Sequence, residues 1–236
     1  MAHLTAAFCE EYLRTFHVRL VENEQMRREA HRLRHQVYAI ENGFEPPNSE
    51  EMERDHYDDR APHALLYHRA FDEPLGTVRL VLPDRNSITG SLPLHSVCPP
   101  RVLREIELPP QRTGEISRFA LSKMRFQRLL QSNKQGTPGQ DDHRRVLSFA
   151  CLGLITAVRQ MARANGITHV AAVMKPALLR RLESLGLSFH RLHEPVDFHG
   201  LRIPCFTPIE RLEAHVQRQR PDLWAFSEGV PAAAAA

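Results

Sequence analysis

Cysteine and long apolar stretches are scarce in this sequence. The four cysteines are far apart, form no CxxC pair and follow no secretory signal; they are Cys9, Cys98, Cys151 and Cys205. The longest apolar run, residues 146–161, contains polar side chains and is too short to cross a membrane. We therefore expect reduced thiols, a cytoplasmic location and no stable membrane insertion.

The sequence also lacks a strong excess of either charge. Its formal net charge is +3 and its pI is about 8.8, which is less basic than is usual for nucleic-acid-binding proteins. The charge is unevenly distributed, however. Residues 45–59 contain seven acidic residues and one arginine, whereas residues 101–145 contain ten basic and five acidic residues. The basic segment predicts an anionic partner, which we do not expect to be nucleic acid.

Length and composition predict one large globular domain. The chain has 236 residues, of which 42% are hydrophobic and 25% charged, and this is enough for one sizeable core. Residues 131–142 contain two glycines and a proline and have the composition of a mobile insertion. The sequence ends in five alanines without apolar partners. We therefore expect residues 1–225 to form the domain and residues 226–236 a disordered tail.

Periodic apolar patterns predict a mixture of helices and strands. Helical spacing marks residues 22–40, 146–165, 177–184 and 208–218. The β-like runs are residues 63–70, 75–82, 113–121, 167–174, 187–192, 196–198 and 201–206, with hairpins joining the first two and the last two. Residues 83–110 are rich in proline and turn residues and predict a long loop. This order predicts an α/β sandwich with a mixed sheet.

Four short motifs follow one another along the chain. They are Arg34-x-x-x-Tyr38 with Phe44, then Glu53-x-Asp55-x-Tyr57-Asp58, then Gly76-Thr77-Val78-Arg79-Leu80, and then Glu115-Ile116-Ser117-Arg118-Phe119. In order and spacing this set resembles the motifs of acyl-homoserine-lactone (autoinducer) synthases. Further on, Gly166-Ile167-Thr168-His169, Met174-Lys175-Pro176 and Phe198-His199-Gly200 resemble the PEP-CTERM/exosortase-associated acyltransferases and the N-acyl amino acid synthases known from environmental DNA.

The resemblance implies a GNAT-like fold, which is a three-layer α/β/α sandwich with a mixed central sheet. It also implies an enzyme that moves a fatty acyl group from an acyl-carrier-protein thioester, or from acyl-CoA, to the amine of a small acceptor, without a bound cofactor. The residues that it assigns to the acceptor are Arg34, Tyr38, Phe44, Asp55, Asp58 and Arg79. Those that it assigns to catalysis are Glu115, Ser117 and Arg118.

The chemistry of acyl transfer requires residues of these types, independently of the resemblance. An amine that attacks a thioester must lose a proton and pass through a tetrahedral oxyanion, so the site needs a carboxylate near the amine and donors near the carbonyl. Glu115 is the candidate carboxylate. Strand alternation predicts that Arg118 faces away from Glu115 and braces the Asp55 loop or the acyl side. For each arginine paired with an aspartate, a bridge that only holds the fold is the alternative.

The sequence has no glycine-rich loop before its long apolar helix. Most acetyl-coenzyme-A-dependent members of the GNAT class carry such a loop, whose backbone amides bind the pyrophosphate. This chain has basic residues around the entrance to that helix instead: Lys123, Arg125, Arg128, Arg144 and Arg145. They favour docking of an acidic acyl carrier protein over free coenzyme A. A generic basic surface is the alternative.

The histidines do not predict a metal site. His31 and His35 are four residues apart on a helix, but they lack the glutamate of an HExxH motif and a third ligand. His56 lies within the acidic motif and is a candidate for moving a proton.

Three positions depart from the autoinducer synthases. Tyr38 stands where those enzymes have phenylalanine, and Phe44 and Gly114 stand where tryptophan is usual or common. Because aromatic walls shape the S-adenosylmethionine pocket of that family, these differences disfavour that acceptor. The hypothesis is therefore an N-acyltransferase of the exosortase-associated or N-acyl amino acid type. Its alternatives are an acyl-homoserine-lactone synthase and a non-catalytic carrier-protein or lipid-binding module.

Overall fold

The computed structural model describes residues 6–69, 73–87, 91–99, 101–102, 108–132 and 140–229, without the side chains of residues 6–9, 130, 132, 140–149 and 229. Its α-helices are α1 (Ala6–Thr15), α2 (Glu24–His35), α3 (Lys123–Ser132), α4 (Gln140–Ala164), α5 (Pro176–Ser184), α6 (Ile209–Gln219) and α7 (Pro221–Gly229). Its strands are β1 (Phe16–Leu20), β2 (His63–His68), β3 (Pro74–Val81), β4 (Thr113–Leu121), β5 (His169–Met174), β6 (His190–Arg191), β7 (Val196–Asp197) and β8 (Leu201–Pro208).

The strands form a mixed sheet in the order β1-β2-β3-β4-β5-β8-β6, and β7 pairs with β8. Along β2, Leu65 and Tyr67 pack in the cluster formed with α2, whereas Ala64 and Leu66 belong to the cluster that contains the apolar residues of α4. This alternation is what a strand covered on both faces requires. The predicted three-layer α/β/α sandwich with a mixed central sheet is therefore confirmed.

The two parallel strands, β4 and β5, separate part-way along their length. They pair only between Thr113–Ile116 and His169–Ala172. Beyond this point β4 continues to Leu121, and β5 continues beside β8 to Met174. Because the two strands no longer bond to each other there, a gap opens between them toward their carboxyl ends.

A β-bulge interrupts β4 beside this gap. Arg79 of β3 pairs with Ser117. Two residues earlier in β3, Thr77 pairs with Ala120, so β4 has one extra residue in this stretch. Arg118 lies in it with a φ of 50°, in the left-handed region that non-glycine residues seldom adopt. The prediction that side chains simply alternate along residues 113–121 is therefore wrong beyond Ser117. A bulge changes the direction of the side chains that follow it.

The first predicted helix, residues 22–40, divides into two parts. Asn23 caps α2 by accepting a hydrogen bond from the backbone N–H of Met26 at 2.9 Å. A π-helical turn, Gln36–Glu41, follows α2 directly. Its wider backbone ring rotates the residues after it. Ile40, which regular helical spacing assigns to the buried stripe, is consequently 51% exposed.

The carboxyl-terminal hairpin is present as predicted, while one strand is shorter. Because Asp197 pairs with Leu201, a three-residue loop of Phe198, His199 and Gly200 joins β7 to β8. His199 and Gly200 have positive φ values of 52° and 85°, as tight hairpin loops often require. The strand predicted over residues 187–192 is reduced to β6, because only His190–Arg191 pairs with β8.

Two predicted segment boundaries need correction. α7 extends to Gly229, and its Leu223 and Phe226 are buried. The predicted tail of residues 226–236 therefore starts too early, because apolar side chains of α7 complete the core; residues 230–236 lie outside the described part. The predicted insertion, residues 131–142, overlaps the end of α3 and the start of α4, and its residues 133–139 are also outside the description.

Two features bear on the environment of the protein. Within the described ranges, no helix is both long and apolar enough to cross a membrane. Cys98, Cys151 and Cys205 are buried free thiols, and the side chain of Cys9 is outside the described part.

Candidate active site

Three arginines and three carboxylates meet between α2, β3 and the bulge of β4. They are Arg34, Arg79, Arg118, Glu53, Asp55 and Asp58, which we call the charge network. Asp58 accepts hydrogen bonds from Arg34 and Arg79, each at 2.6 Å. Arg79 also binds Asp55 at 2.6 Å, and Arg34 binds Glu53. Arg118 bridges Glu53 (2.8 Å) and Asp55 (3.1 Å). The structure thus places Arg118 against the Asp55 loop, the first of its two predicted positions.

Members of the charge network differ in accessibility. Arg34 and Arg79 are 0% exposed and Asp58 is also buried, so a substrate cannot touch them without displacing their partners. These three residues therefore lie behind the accessible members of the network. The side chains of Asp55 and Arg118 are 22% and 23% exposed and are the members that a bound acceptor can reach.

The arginines keep the network carboxylates ionised. Burial by itself would raise the pKa of Glu53, but hydrogen bonds and charge from Arg34 and Arg118 outweigh burial and lower that pKa to about 2. The same competition, between burial and the arginines, holds the pKa of Asp55 and of Asp58 below its ordinary value. At neutral pH the network is therefore a closed set of ion pairs.

Acid should weaken this network. A carboxylate whose pKa is lowered by folding stabilises the protein above its unfolded-state pKa, and this contribution is lost as the pH falls through the folded-state value. For Glu53 the window runs from 4.5 down to about 2. We expect the free energy of unfolding, measured with urea, to fall across this window in the wild-type protein and less steeply in Glu53→Gln. Equal slopes in the two proteins would contradict the assignment.

Glu115 lies apart from these ion pairs. It is 2% exposed on β4, and its carboxylate accepts a hydrogen bond from the backbone N–H of Leu94 at 2.6 Å. Burial raises the pKa of Glu115 to about 8, against the opposing effects of the Leu94 N–H, Arg79 and Arg118. A carboxyl group with such a pKa can exchange a proton with an amine near neutral pH.

Leu94 and Glu53 are two contributors absent from the predicted site set. Leu94 belongs to a short 3₁₀ turn, Pro93–Ser96, inside a region whose prolines predict only a loop. The Leu94 N–H can donate to Glu115 because the first amides of a helical turn have no partner within the turn. For Glu53 a signal existed, since it stands two residues before Asp55 in the same motif.

Ser117 links the charge network to the strand that carries Glu115. Its hydroxyl oxygen accepts a hydrogen bond from Nε of Arg79 at 3.0 Å, which leaves its own proton available for donation. His56, which the sequence makes a candidate for moving a proton, is exposed and packs against Tyr57 with ring centroids 3.9 Å apart.

Tyr38 and Phe44 form an aromatic edge beside the charge network. Their ring centroids are 6.4 Å apart, and the guanidinium of Arg118 lies 5.3 Å from the Tyr38 centroid. Two further cations flank the Phe44 ring, Lys175 at 4.9 Å and Arg202 at 5.9 Å. Burial, with the nearby charge of Arg202, lowers the pKa of Lys175. Neither Lys175 nor Arg202 is among the predicted site residues, although Lys175 stands in the motif Met174-Lys175-Pro176.

An apolar cavity of about 80 Å³ lies on the other face of β4 and β5. Ile116 and Val170 line it from the sheet, α4, α6 and α7 contribute most of the other walls, and Leu187 and Phe189 complete the lining. Ile116 directly follows Glu115. The cavity and the buried carboxyl group are therefore separated only by the thickness of the sheet, beside the gap between β4 and β5.

Known proteins resemble this chain in their fold. A family model described as an acetyltransferase (GNAT) domain matches residues 33–131. No curated protein matches the sequence significantly. Similar solved structures include FeeM, an N-acyl amino acid synthase from uncultured soil microbes, with a TM-score of 0.61 and 15% identity over 86% of this chain and 97% of FeeM. The fold is that of the GNAT acyltransferases.

Two further structures share this GNAT fold. TofI in a ternary complex with an inhibitor and MTA has a TM-score of 0.60 and 20% identity, covering 89% of this chain and 99% of TofI. BjaI, a CoA-dependent acyl-homoserine lactone synthase with SAM and isopentyl-CoA, has a TM-score of 0.56 and 20% identity, covering 90% of this chain and 99% of BjaI.

Basic residues predicted to dock a carrier protein differ in their accessibility on this GNAT fold. Lys123 begins α3 and is exposed, and the Arg128 side chain is 62% exposed. Arg125 instead donates a hydrogen bond to the carbonyl of Pro74 at 2.6 Å, so it ties α3 to β3. The side chains of Arg144 and Arg145 lie outside the described part.

One group of buried side chains has the composition of a metal site. Potential ligand atoms of His31, Asp58 and His63 lie within 4.8 Å of one another, so the structure does not pair His31 with His35. However, Asp58 already accepts hydrogen bonds from two arginines. Burial lowers the pKa of both histidines, to about 3 for His63. A divalent cation would stand beside those arginines, so the surroundings favour neutral histidines that support the network.

Proposed function

We propose that this protein is a cytoplasmic N-acyltransferase that moves a fatty acyl group from an acyl-carrier-protein thioester to the amine of a small, amino-acid-like acceptor. The observation that carries the proposal is the environment of Glu115. It is a buried carboxyl group with a pKa of about 8, next to the gap between β4 and β5. A base with this pKa suits the deprotonation of an ammonium group.

The reaction follows from this placement. Ionised Glu115 accepts a proton from the ammonium group, and the free amine attacks the thioester carbonyl carbon. The tetrahedral intermediate collapses as the carbon–sulfur bond breaks, and an amide forms. One ammonium proton passes through Glu115 to the leaving thiolate, and the second is released to solvent. The Ser117 hydroxyl is positioned to donate a hydrogen bond to the developing oxyanion, because Arg79 already donates to its oxygen.

The acceptor side combines aromatic and charged groups. Asp55 and Arg118 are the accessible members of the charge network, and Tyr38 and Phe44 form the adjoining edge. Lys175 and Arg202 flank Phe44, and within the described part neither cation has a carboxylate at ion-pairing distance. An acceptor with both an ammonium and a carboxylate group suits this combination.

The donor side combines an apolar cavity with basic residues. A fatty chain that passes through the gap beyond Ile116 enters a cavity with almost entirely apolar walls. Lys123 and Arg128 are exposed on α3, and they favour an acidic carrier protein as the donor. No resident cofactor or metal takes part in this proposal. Its sequence motifs favour the exosortase-associated or N-acyl amino acid type of enzyme.

The second candidate is an acyl-homoserine-lactone synthase that uses S-adenosylmethionine. The likeness to TofI and BjaI favours it. The packing around Gly114 disfavours it, since a Cβ added there would lie 3.0 Å from Leu80 and 3.4 Å from Ile167. The tryptophan common before the glutamate in those synthases does not fit at this position without displacing the core.

Product analysis tests the proposal. We would incubate the purified protein with acyl-carrier proteins and acyl-CoA thioesters of several lengths, and with amino acids, simple amines and S-adenosylmethionine. We expect thiol release that depends on the acceptor and an N-acyl amino acid product by mass spectrometry. A lactone product would favour the second candidate. Carrier binding without thiol release for every acceptor would favour the non-catalytic module.

A further inference from the structure

We propose that α7 sets the longest acyl chain that the protein accepts, with Trp224 as a wall of the apolar cavity and Arg159 as the clasp that holds this wall. The inference rests on the proposed function, because it assigns the cavity to the acyl chain of the donor. α7 lies outside residues 33–131, which match the acetyltransferase (GNAT) domain.

The residues of α7 divide into anchors and a movable wall. Leu223 and Phe226 line the cavity and are buried, and the Phe226 ring packs edge-on against Tyr12 at 4.7 Å. Trp224 also lines the cavity but is only partly buried. Because α7 packs on α6 and is not paired with the sheet, Trp224 can move outward more easily than Ile116 on β4.

Arg159 of α4 holds α7 against the cavity through several contacts. Its guanidinium binds Glu213 of α6 at 2.5 Å, Ser227 of α7 at 3.1 Å and also Glu228 of α7. The same guanidinium lies 4.4 Å from the Trp224 ring centroid. Arg159 therefore joins three helices at one edge of the cavity, while its aliphatic stem contributes to the apolar wall.

This arrangement predicts a sharp limit in chain length. Each methylene group that enters the cavity should raise affinity by about fourfold. The gain should stop when the chain reaches Trp224, because a longer chain must displace the indole and break the contacts of Arg159. The limit should therefore depend on α7.

The wild-type protein offers a direct reading of this contact. Trp224 is the one tryptophan of the sequence, so intrinsic tryptophan emission reports on the cavity wall. We would titrate the protein with saturated fatty acids from hexanoic to palmitic acid and measure binding in parallel by calorimetry. We expect the emission to change with chains near the limiting length and not with the shortest chains that bind. Chains of every length that bind without changing the emission would overturn the proposal.

Three variants then test the wall and the clasp. Trp224→Ala should move the limiting length upward by about two methylene groups or more, and Trp224→Phe should move it less. Arg159→Met should make the limit less sharp. Leu179→Ala removes a buried side chain that does not line the cavity and should keep the wild-type limit. An unchanged limit in both Trp224 variants would overturn the proposal, and Trp224→Phe keeps the test valid if Trp224→Ala does not fold.

Acyl transfer measured on the same proteins separates this inference from the proposed function. If the binding limit shifts but no thioester is turned over by any protein, α7 sets the chain length and the proposed enzyme function fails. If turnover occurs with the same optimal chain length in all variants, the enzyme function stands and the role of α7 fails.

Discussion

Glu115→Gln is expected to lower the turnover number by about a hundredfold or more, because an amide cannot accept the ammonium proton and general-base catalysis typically contributes at least this factor. The variant should fold, since the amide oxygen can still accept the hydrogen bond from the Leu94 N–H. The wild-type rate should rise with pH toward the Glu115 pKa of about 8. Steady-state kinetics across this range would show whether Glu115→Gln removes that rise.

Thermal or urea unfolding of the same variant gives a second reading. An acid whose pKa is raised by folding contributes stability below its unfolded-state pKa, and this stability is lost as the pH rises through the folded-state value. For Glu115 the loss spans pH 4.5 to about 8, and Glu115→Gln should remove it. The control is Glu183→Gln, an exposed glutamate of α5, which should leave rate and stability unchanged. A rate and a pH profile equal to those of the wild-type protein in Glu115→Gln would show that Glu115 is not the general base.

Arg79→Met is expected to reduce the free energy of unfolding by about 3–5 kcal/mol, the usual cost of leaving buried partners without their counter-charge. Arg79 is 0% exposed and binds Asp55 and Asp58 at 2.6 Å and Ser117 at 3.0 Å. Its loss should also lower turnover by about tenfold or more, because Ser117 and the Asp55 loop lose their orientation. Urea unfolding and steady-state kinetics measure the two effects.

Two further variants make the Arg79 result specific. Adding Asp55→Asn to Arg79→Met should recover part of the lost stability, since one uncompensated carboxylate is removed. Arg14→Met breaks an ion pair on α1 whose arginine side chain is 75% exposed, and it should cost less than about 1 kcal/mol. If Arg79→Met costs no more than Arg14→Met, the charge network does not hold this part of the fold.

Long periodic segments were the most predictable part of the fold. The hairpin formed by β2 and β3 and the hairpin at His199 and Gly200 follow directly from short β-like runs separated by turn residues. Short-range signals failed where a distant partner decides the conformation. Val37 of the π-helical turn after α2 and Leu223 and Phe226 of α7 pack in the core against other elements, and neither segment has a distinctive local pattern.

Within the candidate site, the identities of the residues were more predictable than their positions. The motifs singled out Arg34, Asp55, Asp58 and Arg79, and the structure brings all four together. Their burial separates supporting residues from those that a substrate can reach, and no sequence pattern carries that distinction. The reason is that exposure depends on the loop from Glu53 to Asp58 folding over the arginines.

The sequence by itself determined the class of fold, the motif residues and the segregation of acidic and basic segments, because these depend on residue type and local spacing. Tertiary structure alone decided three other properties: the raised pKa of Glu115, which comes from its burial; the bulge that turns Arg118 toward the Asp55 loop; and the enclosure of the apolar cavity by α7. Each of these joins residues far apart in the chain, and the free energy of burying them together appears only when the sheet and its helices have assembled.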